Sequence, residues 1–91
     1  MKGAQLKDVV ETCGMLGDRT RASIVTILSK GEQSVGALCR ELKLLQPTAS
    51  HHLALLRMSG LLDRMRRGKQ MFYTLNRDKL ACVRQFLAEL K

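Results

Sequence analysis

Three features of the 91-residue sequence predict a mainly α-helical fold with one small β-hairpin. Apolar residues recur at helical spacing through most of the chain, as in helices packed on a common core. Three residues, Lys43, Leu44 and Leu45, separate a helix ending near Leu42 from one starting at Gln46. That is the spacing of a helix-turn-helix. Behind it, residues 61–65 and 70–75 form two β-favouring runs around the polar turn 66–69, with Gly68 marking a hairpin. Together they describe a winged helix-turn-helix: five helices plus a two-stranded wing, in a single domain over residues 1–91.

Each element has its own signal. A first helix over residues 2–16 carries Leu6, Val9, Val10, Cys13 and Leu16, and stops at Gly17. Asp18 is a good N-cap for a second helix, 20–29, with Ile24, Ile27 and Leu28 inward; Lys30 and Gly31 suit its end. Gln33, Ser34 and Val35 form a short extended link, or Ser34 caps a third helix that buries Val35, Leu38, Cys39 and Leu42. In the fourth helix, 46–59, Ala49, Leu53 and Leu56 fall on one stripe at i, i+4 and i+7. Thr48, Ser50, His51 and Ala54 point the other way, and Pro47 suits the first turn, where its missing N–H costs nothing. Gly60 ends this helix. Asn76 caps the last one, 77–91, with Asp78 well placed in its first turn and a stripe of Leu80, Val83, Phe86, Leu87 and Leu90.

The charge balance narrows the function. Lys and Arg number 16 against 8 Asp and Glu, a net charge of +8, which points to a polyanion such as nucleic acid. An anionic membrane surface would call for a basic amphipathic helix, whereas the basic cluster here sits in a strand-like segment. The fourth helix, apolar behind and lined in front by short donors and acceptors, suits a DNA major groove. Gln46, Thr48, Ser50 and His51 are therefore the candidate base contacts, set against a merely solvated polar face. Between positions 57 and 69 lie five basic residues and one acid. Of these, Arg64, Arg66, Arg67 and Lys69 are candidate phosphate contacts of a wing. Arg57 suits the helix end. His52, beside the apolar stripe, is expected to be a partly buried, hydrogen-bonded structural residue. The His51-His52 pair is a poor chelate, since helical neighbours diverge by about 100°.

Taken in order, these residues resemble the ArsR-type (ArsR/SmtB) family of winged helix-turn-helix transcriptional repressors. The matching runs are Leu16-Gly17-Asp18-Arg19-Thr20-Arg21 with Ile24 and Ile27; Leu44-Leu45-Gln46-Pro47-Thr48-Ala49-Ser50-His51-His52-Leu53; Leu56-Arg57-Met58-Ser59-Gly60-Leu61; and Gly68-Lys69-Gln70-Met71-Phe72-Tyr73-Thr74-Leu75. The resemblance implies a homodimer held by its first and last helices, which binds an imperfect inverted repeat in double-stranded DNA and leaves it when an inducer is sensed. Metal-sensing members carry a Cys-x-Cys pair where this chain has Ser34 and Gly36. Another family site draws Asp, His and Glu ligands from the last helix, which here has no histidine and one cysteine, Cys82. No metal and no cofactor are expected, and the inducer is left unnamed.

The dimer follows from the residues as well. The stripes of the last helix (Leu80, Val83, Phe86, Leu87, Leu90) and of the first (Leu6, Val9, Val10) exceed what one small domain covers. Cys13, Cys39 and Cys82, an odd and irregularly spaced set, form no disulfide framework. All three can be small buried hydrophobes, but Cys13 and Cys82 lie on the helices that meet in the dimer. They are the candidate thiol sensor, redox or thiophilic, if the protein is a switch. A protein- or RNA-binding winged helix is the remaining alternative. Neither a glycine-rich phosphate loop nor a base–nucleophile set is found, so no enzyme is expected. With neither a signal peptide nor a membrane span in view, the expected location is the cytoplasm.

Overall fold

The structure, a computed structural model, describes residues 3–90; the predicted helix ends at Lys2 and Lys91 lie outside them. Five helices and three strands follow in the order α1 (Gly3–Leu16), α2 (Arg19–Leu28), β1 (Gln33–Ser34), α3 (Val35–Leu42), α4 (Gln46–Met58), β2 (Leu62–Arg67), β3 (Gln70–Leu75) and α5 (Arg77–Glu89). Polar caps set three helix starts. Asp18 accepts from the Arg21 N–H at 3.0 Å, Ser34 from that of Ala37 at 3.1 Å, and Asn76 from that of Asp78 at 3.1 Å. Asn76 also donates to the Gly60 carbonyl at 3.2 Å, tying the start of α5 to the end of α4. At the other end of α3, Lys43 takes the left-handed conformation (φ 55°) and returns its N–H to the Cys39 carbonyl.

The sheet differs from the predicted two-stranded wing. Its order is β1-β3-β2, all antiparallel, with Gln33 opposite Tyr73 and Ser34 opposite Phe72. Two residues are too few for any periodicity, so β1 read only as an extended link. The hairpin itself is longer than expected: Arg67 pairs with Gln70, leaving a two-residue loop of Gly68 and Lys69. Gly68 holds φ +62° as the first loop residue, a position that favours glycine in tight hairpins.

Ile24, Val25 and Leu28 of α2, Leu38 of α3, and Leu53 and Leu56 of α4 meet Leu61, Leu62 and Tyr73 in one buried cluster. Ala49 is also buried, so the whole predicted back stripe of α4 is covered. In α3 only Leu38 is fully buried; Val35 and Leu42 pack at the core's margin and Cys39 is half-buried.

Helices α1 and α5 pack on one another outside this core, with Lys79 Nζ 3.8 Å from Asp8 Oδ1. Here the sequence reading needs correction. Val9, assigned to the dimer surface, is 2% exposed and packs within its own chain. The single stripe read for α1 merges two adjacent ones. Val9, Thr12 and Leu16 (i, i+3, i+7) turn inward, while Leu6, Val10 and Cys13 (i, i+4, i+7) stay outside. Leu80 likewise packs against the core, Val83 and Phe86 are half-buried, and Leu87 and Leu90 remain exposed.

Candidate nucleic-acid interface

Helix α4 is held from behind and open in front. Gln46, Thr48, Ser50 and His51 are all exposed; Thr48, Ser50 and His51 lie off the buried stripe of Ala49, Leu53 and Leu56, and Gln46 heads that stripe (i, i+3, i+7) from the open end of the helix. The four residues predicted to read bases thus share one free surface at the leading half of the helix.

His52 takes the structural role expected of it. Its Nδ1 lies 3.4 Å from Arg21 Nη1 and 3.9 Å from Asp18 Oδ2. Arg21 also donates from Nε to the Met15 carbonyl at 2.8 Å. One guanidinium therefore joins the end of α1, the start of α2 and the middle of α4. The Arg21 backbone N–H, donating to Asp18, holds that carboxyl below the usual carboxylate range, with the nearby Arg21 and His52 charges acting in the same direction.

The wing divides its basic residues. Side chains alternate along a strand, so Arg64 and Arg66, opposite Tyr73 and Met71, occupy one face of the hairpin. Arg67 lies on the other, with its guanidinium 5.0 Å over the Phe72 ring and gripping both carboxylate oxygens of Glu32, one at 3.0 Å. Arg67 is thus already engaged within the chain, whereas Arg64, Arg66 and Lys69 are exposed with no acidic partner among the described ion pairs. Lys69 and Gln70 at the wing tip share a cavity of about 300 Å³ with Ser34, Gly36 and Gln46. Wing tip and the leading ends of α3 and α4 form one continuous surface.

The three cysteines are free thiols. Cys13 is exposed, contrary to a buried reading, and Cys82 donates its S–H to the Lys79 carbonyl at 2.9 Å. Arg57 Nε is buried and, among the described residues, meets no hydrogen-bond partner. Sequence reasoning missed Arg21 and Glu32 because their partners lie 31 and 35 residues away. Only the unusual acid in an otherwise basic, polar stretch could have flagged Glu32.

Residues 18–64 match the model of the bacterial regulatory protein arsR family, more than half of the chain. The chain belongs to the ArsR family. The motif resemblance is thereby confirmed, and relatives agree with it. A biofilm growth-associated repressor of Agrobacterium fabrum is 42% identical over 66 residues, covering 72% of this chain and 56% of the relative. The arsenical resistance operon repressor of Escherichia coli K12 is 49% identical over 63 residues, covering 68% and 54%. This ArsR-family chain thus spans about half the length of those two relatives. Among solved structures, HlyU from Vibrio cholerae superposes with a TM-score of 0.82 at 28% identity, covering 99% of this chain and 98% of that one. The V. cholerae HlyU sequence carries the name transcriptional activator, so the family's members differ in the sign of regulation.

Proposed function

We propose that this chain is a sequence-specific, non-catalytic DNA-binding repressor, acting as a homodimer on an inverted-repeat operator and released by an inducer. The observation that carries the reading is α4, with a fully buried back and a polar front left free beside a basic wing tip. Gln46, Thr48, Ser50 and His51 then meet base edges, while Arg64, Arg66 and Lys69 meet phosphates. Leu6 and Val10 of α1 with Leu87 of α5 and Leu90 just beyond it supply the apolar surface for the second copy. Repression rather than activation follows the names of the two relatives above. No helix among the described residues is long and apolar enough to cross a membrane, which accords with a cytoplasmic regulator.

Exposed Cys13 supports a thiol-responsive form of the same reading, in which oxidation or a thiophilic ion weakens DNA binding. Selection from a random duplex pool, with and without reductant, tests both. The expected product is an inverted repeat with half-sites about 10 bp apart or a multiple of that. No enrichment would remove the repressor reading; identical enrichment and affinity under oxidant, for wild type and a Cys13→Ser/Cys82→Ser protein, would remove the thiol form.

A further inference from the structure

We propose that Leu45 is a base-reading residue, its side chain seated on the 5-methyl group of a thymine in the major groove. This deepens the DNA-binding reading and rests on it. Leu45 is the N-cap of α4, and it makes no side-chain hydrogen bond there. Leucine is among the poorest residues for that position, since it leaves the first N–H groups without a side-chain acceptor. The contrast lies within the molecule: Asp18, Ser34 and Asn76 cap α2, α3 and α5 with polar side chains that accept from their own helices. Leu45 also buries little in return, being 78% exposed. A lone exposed leucine ordinarily means nothing. Here it occupies the one described cap where a polar side chain would stabilise the fold and is missing.

Its place supplies the reason. The leading residues of a recognition helix are the ones that reach base edges. Leu45 precedes Gln46 and Thr48, and residues 42–62 contain no carboxylate to repel a phosphate-lined groove. Among the four bases, thymine alone offers an apolar methyl in the major groove, while cytosine at the same edge offers a bare C5–H and a donor. A polar cap would have engaged one of the helix's own first N–H groups, as Asp18, Ser34 and Asn76 do. The leucine leaves them to solvent or phosphate and adds an apolar contact that the polar front of α4 lacks.

The test uses the duplex selected by the wild-type protein, with each thymine replaced singly by deoxyuridine, which removes only the methyl. At one thymine of a half-site, wild type is expected to lose about fourfold in affinity, the worth of one buried methyl group. Leu45→Ala should lose a similar factor on the thymine duplex and be indifferent to deoxyuridine there, while matching wild type at other positions. Leu45→Ser, which restores a polar cap, should melt no lower than wild type and show the same indifference. Equal deoxyuridine losses for wild type and Leu45→Ala, or no position sensitive to the methyl, would overturn the inference while leaving the protein a DNA binder. If wild type selects no duplex at all, the inference and the repressor reading both fall.

Discussion

The body of the domain and its outer helix pair are built from similar apolar stripes put to different use. In the body, α2, α3, α4 and the sheet close a cluster in which Leu53, Leu56 and Leu61 are wholly enclosed. In the outer pair, α5 has no fully buried residue and, among the residues of α1 whose burial is described, Val9 and Thr12 alone are buried. Yet α5 carries an apolar stripe too, with Leu80, Val83 and Leu87 at i, i+3 and i+7. An amphipathic stripe therefore reports that a face is to be covered, without saying whether the cover comes from the same chain.

Substitutions can break that contrast. The largest effect belongs to the body: Leu53→Ala should cost about 2–5 kcal/mol in urea unfolding, much of a small domain's stability. If Leu87→Ala cost as much within the isolated subunit, the distinction would fail. Next, Val10→Glu combined with Leu87→Glu should leave the fold intact, halve the mass seen by light scattering at micromolar concentration, and weaken operator binding about 100-fold or more. Retention of a dimeric mass would place the interface elsewhere.

The wing sharpens the comparison on a smaller scale. Arg66→Ala should weaken binding to all duplexes and shallow the salt slope by about one. Arg67→Ala, already paired with Glu32, should change the slope less and instead cost about 0.2–1 kcal/mol of stability, as exposed pairs do. Identical salt slopes for the two variants would show that Arg67 leaves Glu32 for the phosphates. The smallest effect concerns acid. Asp18 has a lowered folded pKa, so its contribution is complete above the unfolded value of about 4 and fades as pH falls below it. Asp18→Asn should be less stable at neutral pH and should lose less than wild type on acidification, read as Tm against pH.

How much of this was legible in sequence depended on distance along the chain. The helix caps Asp18, Ser34 and Asn76, the buried stripe of α4 and the free polar front opposite it were all readable from residues within two turns of each other. The family resemblance rested on those same runs. What escaped was set by tertiary partners: the short strand β1, which exists only because Tyr73 and Phe72 lie across from it, and the inward turn of Val9. The pairing of Arg67 with Glu32 escaped for the same reason, since composition shows a cluster of cations without saying which are already neutralised.

The claim beneath all of this is that the free front of α4 reads base pairs, and affinities of Ser50→Ala and His51→Ala for the selected operator and for a scrambled duplex test it most directly. Each variant should lose about 1–3 kcal/mol on the operator and little on the scrambled sequence, so that the ratio between them narrows. Equal losses on both duplexes, or no loss on either, would mean that this face does not read sequence.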